Sequence, residues 1–572
     1  MKRSSVIQSV LLAGLLSGFG ACKNSPPSET SLYSTDPGLI AEGETLFTGN
    51  CSSCHNFRQD GIGPALAGIT DDAPRDWLRH FIRDPQAMIE SGDERSKELF
   101  SKFKAYMPPY SYLTDLQIDE ILAYIHTQKA AEKPSGGSDT AALADPVPDT
   151  IPPAGVTVNM ELVAQFPATA DKAPLARITF LDTRPGSSDL YVLDLRGKLY
   201  RVRNNRPEVY MDMAQLMPHF INQPGLGTGF GSFAFHPDFE KNGLLYTTHS
   251  EPPASAKADF GYPDSIPVTL QWVLTEWQTD SPGSFPFKGK SRELLRADMV
   301  TGIHGVQEIA FNPNARPGDP DYGMLYAGSG DGGSAENGYV FLSGSPDRFW
   351  GSVIRIDPAG NNSANGRYGI PPDNPFAKSG GLPEVYVYGF RNPHRMTWTQ
   401  DGRMLVFNIG HQHIEAIYMV RPGQFCGWPI REGGFVINPY GDMDKVYPLP
   451  ADEPAGMINY PVVQYDHDEG NSICGGYEYL GKALPELRGK IVFGDIVRGR
   501  IFYTDASGLQ PGHPAPVSEW QVSFNHKPVT LAELCGNKRV EMRFGRDAAG
   551  ELYIMTKADG KLYRLTRQEN LN

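Results

Sequence analysis

Phe233-Ala-Phe-His-Pro-Asp-Phe-Glu-Lys-Asn-Gly-Leu-Leu-Tyr246 reads as two short strands around a turn, with apolar alternation at both ends and Pro237-Asp238 and Asn242-Gly243 between them. Five more stretches follow the same plan. They are Ile178-Thr-Phe…Asp189-Leu-Tyr-Val, Ile309-Ala-Phe-Asn-Pro…Gly323-Met-Leu-Tyr, Met396-Thr-Trp…Asp401-Gly-Arg-Met-Leu-Val, Tyr477-Glu-Tyr…Gly489-Lys-Ile-Val and Met542-Arg-Phe…Gly550-Glu-Leu-Tyr. The first and last units also share Gly197-Lys-Leu-Tyr-Arg-Val and Gly560-Lys-Leu-Tyr-Arg-Leu. A unit of two strands cannot bury its own apolar face, and six of them over residues 156–572 predict an all-β six-bladed propeller closed by radial repetition. Unit starts lie 55 to 87 residues apart, so long loops are inserted between strands, where function usually resides. An array of β-sandwiches is the other reading, but it accounts less well for the matching ends.

The 572 residues include 61 Gly and 48 Pro, which fits a turn-rich chain, and 40% hydrophobic residues, which excludes a wholly disordered one. A net charge of −14 gives no attraction for phosphate backbones, so nucleic acid is not expected as a partner. Lys2 and Arg3 precede an apolar run from Val6 to Leu16, then Gly18-Phe-Gly-Ala-Cys22. That order reads as a secretory signal over residues 1–21, too short to span a bilayer. The stretch ending in Cys22 resembles a bacterial lipobox and implies a lipidated Cys22, with residues 22–35 as a tether. A plain cleaved signal is the alternative. Either way the chain is expected on the exported, periplasmic or envelope side, and the lipid is its only membrane contact.

Cys51-Ser-Ser-Cys54-His55 spaces two thiols to add to the two vinyl groups of one haem, with His55 as an axial ligand. A zinc half-site would need a second ligand pair, and none lies nearby. Tyr106-Met107-Pro-Pro-Tyr110 offers Met107 as the sixth iron ligand, held between aromatic and proline neighbours. Leu39, Ile40, Gly43, Leu46 and Phe47 share a helical face before the motif, and Trp77-Leu78 with Phe81-Ile82 mark a second amphipathic segment. Thr114-x-x-Gln117 is a capping box opening a last helix with Ile118, Ile121, Leu122 and Ile125 on one face. In order and along their whole length, residues 36–130 resemble a class I cytochrome c, a small all-α domain. Residues 131–155 then lack periodicity and read as a linker.

The propeller stretch resembles the PQQ-dependent glucose/sorbosone (aldose sugar) dehydrogenases. The resemblance is carried by Gly302-Ile-His304-Gly-Val-Gln-Glu-Ile-Ala-Phe-Asn-Pro, Leu325-Tyr-Ala-Gly-Ser-Gly-Asp331-Gly-Gly, Gly351-Ser-Val-Ile-Arg-Ile-Asp and Val387-Tyr-Gly-Phe-Arg391-Asn392-Pro. It continues through Gly410…Glu415…Cys426-Gly-Trp-Pro, Ser472-Ile-Cys-Gly-Gly-Tyr and Phe493-Gly-Asp-Ile-Val-Arg-Gly-Arg-Ile. The ordered set, rather than any one segment, carries it. It implies a quinone on the top face of the propeller, His304 as the base taking the hydroxyl proton, Asp331 orienting it, and Arg391 and Asn392 over the cofactor. It also implies Ca²⁺ near the carbonyls of Gly410 and His411 and the carboxylate of Glu415. Without the resemblance, His304 and Asp331 would read as a structural hydrogen bonder and a turn cap, and His394, His411 and His413 as loop residues.

The chain departs from the pattern where PQQ, a tricarboxylate, needs cations. Val497-Arg498-Gly499 replaces a Lys before Arg-Gly, Lys538-Arg-Val-Glu541 replaces two alternating Arg, and Gly227-Thr228 replaces a polar contact. Arg498, Lys538 and Arg539 are the candidates to compensate. Cys426, Cys474 and Cys535 make one disulfide plus a free thiol the simplest count, with Cys474–Cys535 joining adjacent blades.

The expected activity is oxidation of a sugar or other alcohol by PQQ, with electrons passing to the chain's own haem c and on to an acceptor such as a cytochrome or terminal oxidase. The alternatives are a haem-bearing propeller that binds a ligand or partner without PQQ, and, last, a hydrolytic calcium lactonase.

Overall fold

Each of the six repeat units forms the inner pair of strands of a four-stranded antiparallel blade. The innermost strands are Ile178–Thr183, Phe230–Phe235, Val306–Phe311, Asn392–Trp398, Tyr477–Glu478 and Met542–Arg546. The computed structural model describes residues 32–52, 54–103, 106–130, 141–223, 225–263 and 265–567. The expected signal and Cys22 therefore lie outside the described residues. Central strands such as Leu190–Asp194, Ser352–Ile356 and Leu552–Thr556 are buried along their whole length, which explains their continuous apolar runs.

The ring is closed by the strand Pro153–Gln165, which begins inside the stretch expected as linker. It pairs antiparallel with Lys561–Arg567, Met160 opposite Leu565, and so completes the sixth blade. It also pairs parallel with Ser518–Phe524 of the fifth, Val158 opposite Val522. The rest of the described linker lies along the propeller: Leu143 N donates to the Val446 carbonyl at 2.9 Å, and Ile151 packs against the core of the fourth and fifth blades.

The haem domain is built from helices Pro37–Asn50, Ile69–Asp72, Arg75–Arg83, Pro85–Ser91, Glu94–Phe103 and Asp115–Thr127. Asp36 caps the first, its carboxylate accepting from Gly38 N and Leu39 N. The capping box of Thr114 and Gln117 opens the last, whose Ile118, Ile121, Leu122 and Ile125 form the core. These two helices cross so closely at Gly43 that a Cβ there would run into the backbone of Glu120. No disulfide is formed by Cys426, Cys474 or Cys535: all three are free thiols, Cys474 and Cys535 unbonded within one core and Cys426 in another, which corrects the expected pairing.

Gly43→Ala is expected to wedge the two helices apart and destabilise the haem domain by about 1–3 kcal/mol. Guanidinium unfolding followed at the haem absorption band measures this, and unchanged stability would contradict the close crossing.

Candidate active site

In the haem domain, His55 Nδ1 lies 2.9 Å from the Pro64 carbonyl. A carbonyl only accepts, so Nδ1 carries the proton and Nε2 keeps its lone pair for iron. A Cβ on Gly63 would overlap the His55 ring, so the Gly-Pro turn packs flat against it. Cys51 and Cys54 are unbridged thiols one helical turn apart, with Cys54 N donating to the Cys51 carbonyl. These residues fit one covalently attached haem, with Met107 in the half-buried loop before Pro108.

On the top face of the propeller, loops from successive blades converge on a cavity lined by His304, Arg391, Asn392, His394, His411, Arg539, Glu541, Arg543 and Lys557, among others. His304 lies at the mouth of the third blade with a left-handed backbone, φ 53°. Leu226 and Glu541, also on the cavity wall, share that strained region. Gly330 has no room for a Cβ against the His304 backbone, which lets the Asp331 loop come close.

His304 Nδ1 donates to Asp331 Oδ1 at 2.8 Å. Asp331 is fully buried and held by Gly333 N on the same oxygen and by Trp428 Nε1 on the other, at 2.8 and 3.0 Å. Burial, reinforced by the Arg391 charge, pushes the His304 pKa down against the pull of Asp331. The ring is therefore neutral, its tautomer is set, and Nε2 is the nitrogen left to the cavity.

Arg391 is 1% exposed. Its Nε donates to Glu336 Oε1 at 2.9 Å, Nη2 to the same oxygen, and Nη1 to the Gly410 carbonyl at 2.5 Å. Arg391 and His411, whose Nδ1 donates to Glu336 at 3.1 Å, hold Glu336 well below the usual carboxylate range despite its burial. Asn392 Oδ1, His394 Nε2 and His411 Nε2 are buried without a hydrogen-bond partner among the described residues. These are acceptors on the cavity wall.

The expected calcium ligands do not assemble. Gly410 gives its carbonyl to Arg391, and the His411 side chain turns to Glu336. Glu415 is fully buried, accepting from His467 Nε2 at 3.1 Å and Ile473 N at 2.7 Å. Among the described residues no group of three His, Cys, Asp or Glu is placed to hold a metal. Arg498 is also spent elsewhere, on the His467 and Asp468 carbonyls and the Asn471 side chain, and Lys538 turns outward to Glu90 of the haem domain.

Of the three candidate cations only Arg539 faces the cavity, where Arg543 and Lys557 join it around one carboxylate, Glu541. Arg539 Nε is 2.5 Å from Glu541, and Lys557 Nζ is 3.7 Å away. Arg543 keeps a buried Nε without a partner. Burial, with repulsion from neighbouring cations, lowers Arg543 to about 10 and Lys557 well below its ordinary value, while Glu541 is drawn down to about 2. Arg177, lowered to about 10 chiefly by burial, donates to the Leu226 carbonyl at the cavity edge. A buried surplus of positive charge is costly unless an anion covers it. These residues fit a polyanionic ligand, PQQ included, and Glu541, expected to oppose one, instead holds the cations together.

A model of the glucose/sorbosone dehydrogenase family matches residues 179–564, about two thirds of the chain. The chain belongs to the glucose/sorbosone dehydrogenase family. A cytochrome c model matches residues 40–129. HIPL1 protein of Arabidopsis thaliana is 25% identical over 392 residues, 60% of this chain and 54% of its own. Quinoprotein glucose dehydrogenase B of Acinetobacter calcoaceticus is 23% identical over 256 residues, 41% of this chain and 46% of its own. The chain thus spans about half the length of these curated relatives. The apo structure of the soluble aldose sugar dehydrogenase of Escherichia coli superposes with a TM-score of 0.51 at 18% identity, covering 72% of this chain and 99% of that one. It shares the fold. The chain is thus a member of this family that carries its own cytochrome c domain.

Sequence reasoning missed Glu336, Trp428, Arg543 and Lys557. Arg539, Glu541 and Arg543 alternate along the chain, and a period of two would have placed Arg543 with the other two. Glu336 carries no local signal, because its role follows from the Arg391 it meets across the ring.

Glu541→Gln is expected to destabilise the protein by about 3 kcal/mol, since it strands three cations. In the parent, the carboxylate is lowered on folding from 4.5 to about 2, so its contribution is complete above pH 4.5 and lost as pH falls towards 2. Thermal melts of both proteins across that range check the sign. A flat difference would be the wrong result.

Proposed function

We propose that the protein is an exported quinohaemoprotein dehydrogenase that oxidises an aldose sugar or related alcohol with PQQ and passes the electrons to its own haem c. The observation that carries the reading is the neutral His304 fixed by buried Asp331 beside a cavity walled by cations. The quinoprotein named among the relatives supports it. A bound PQQ would supply the two-electron acceptor for hydride leaving the substrate carbon.

The chain's own residues do the rest. His304 Nε2 takes the hydroxyl proton, and Asp331 holds Nδ1–H in place and stabilises the imidazolium that forms. Arg391, immobilised by Glu336 and Gly410, keeps positive charge where negative charge develops. Asn392 Oδ1 and the Nε2 atoms of His394 and His411 accept from hydroxyls, which suits a polyol better than an apolar alcohol. Arg539, Arg543 and Lys557 hold carboxylates. The haem of Cys51, Cys54, His55 and Met107 would supply the one-electron acceptor. Calcium is left out, because the donors expected for it are engaged elsewhere.

Export and a lipid anchor at Cys22 rest on the sequence around residues 1–22 and on the fact that c-type haem is attached outside the cytoplasm. No helix among the described residues is long and apolar enough to cross a membrane.

The test is anaerobic addition of PQQ and a panel of aldoses and alcohols to haem-loaded protein while haem absorption is followed. Reduction is expected with at least one sugar, and His304→Ala should slow it by about 10²–10⁴-fold. No reduction with any substrate together with no retained PQQ would leave a haem-bearing binding propeller as the better reading. The base must be neutral and its pKa is lowered, so the rate should be level above pH 6.5 and decline only at lower pH. A limb rising above pH 7 would mean another base.

A further inference from the structure

The cavity is not built by the propeller alone. Gly61, Ile62, Lys102 and Phe103 of the haem domain line it together with His304 and Arg391. The two units meet through polar groups. Gln59 Nε2 donates to the Glu336 carbonyl at 2.9 Å and reaches Met443 Sδ at 3.0 Å. Gly61 and Gly338 face side chains across the seam: a Cβ on the first would lie 3.1 Å from Glu336 Oε2, and on the second 2.5 Å from Arg58 Nη1. Lys102 Nζ joins Asp60 of its own domain to Asp444 of the propeller, the latter at 3.3 Å. Lys538 reaches Glu90 at 2.7 Å, and Arg539 Nη1 reaches the Tyr106 carbonyl, next to Met107, at 3.4 Å.

Two consequences follow. In this docked arrangement His304, at the cavity, is 5% exposed, and four haem-domain residues form part of the wall around it. Yet the seam is separable. The apolar core of the haem domain contains no propeller residue, and the cluster of Ala335, Trp428, Ile437 and Met443 beneath the seam contains no haem-domain residue. What bridges them is ion pairs, single hydrogen bonds and the cation–π contacts of Lys538 over Tyr106 and Lys172 over Tyr112, each worth about 1 kcal/mol or less.

We propose that the haem domain is a removable part of the wall of the catalytic cavity: parting of the seam widens the path to His304, and Ile62 and Phe103 face what is bound when it closes. The proposal rests on the dehydrogenase reading for the identity of the bound molecule, but not for the wall itself. Closing brings the loop of Met107, one of the residues that would hold the haem, against Arg539.

The test locks the seam at its exposed edge, with Glu90→Cys and Lys538→Cys joined by a short disulfide-containing bis-maleimide in a Cys535→Ser background and the bridge verified by peptide mass. Accessibility of His304, His394 and His411 to diethylpyrocarbonate needs no turnover. Locking is expected to lower their labelling about ten-fold or more, and cleaving the bridge with dithiothreitol to restore it. Equal labelling of locked and unlocked protein would overturn the wall. In the full chain assayed with an artificial electron acceptor that bypasses the haem, Phe103→Ala is expected to raise the substrate KM about ten-fold with its haem spectrum intact. An unchanged KM would overturn the substrate-facing role of Phe103. If locking hides the histidines while no sugar or alcohol is oxidised by any form, the wall stands and the dehydrogenase reading fails.

Discussion

The pairing of Pro153–Gln165 with Lys561–Arg567 is the contact on which the rest of the molecule depends. Strands within a blade are stabilised by near neighbours, but the placement of one blade against the next is fixed only when the ring is shut. Closure joins residues some four hundred positions apart, and the same strand adds a parallel rung to Ser518–Phe524, so the last two blades become one sheet. The loops at the top of each blade then have fixed positions around one axis. His304 precedes the third blade, Arg391 the fourth, and Glu541 the sixth. None of them is near another in the chain, and none could be held to hydrogen-bond tolerance by a ring free to open.

Within that frame, charge decides what the site can accept. The cost of burying Arg391 is offset by Glu336 and a backbone carbonyl, which take its donors. The cluster of Arg539, Arg543 and Lys557 is different: one carboxylate serves three cations, and the depressed values of Arg543 and Lys557 record the strain. A protein that only needed stability would replace these side chains with apolar ones. Keeping them points to an anionic ligand, whereas the neutral His304 and the bare acceptors of His394, His411 and Asn392 point to a donor-rich neutral one. A cavity with both characters suits a polycarboxylate cofactor beside a polyol.

The architecture was legible because it is periodic. Alternation within each of six units, and a CxxCH motif with its downstream Met, are local signals that survive without any knowledge of contacts. The dyad of His304 and Asp331 was legible through resemblance and agrees with the geometry. The rest was not, for reasons that differ. Arg498 was named for its neighbours in sequence, but its guanidinium is taken by the His467 and Asp468 carbonyls and the Asn471 side chain. Glu415 carries the right chemistry for a hard cation, yet His467 and Ile473 meet it first in the folded ring. Glu541 looked like a misplaced acid because Lys557 joins it from a turn beyond the next strand, while Arg539 and Arg543 flank it at a spacing of two. Long-range pairing of charges leaves no pattern in a single sequence.

The join between the two domains follows the same logic of marginal contacts. A two-electron oxidation served by a one-electron haem requires two transfers per turnover, and a tether makes each approach intramolecular instead of a bimolecular search. With local concentration high, the seam itself need not be strong, and a strong one would be a liability if it covers the site. Its composition fits that requirement: the ion pairs Lys102–Asp444 and Lys538–Glu90 are half exposed and screened by salt, and the Gln59 contact is a single amide on backbone carbonyls. Glycine at 61 and 338 sets the approach sterically without adding adhesion. Shape therefore determines where the haem domain docks, the covalent connection determines how often, and the weakness of the polar contacts determines how readily it leaves.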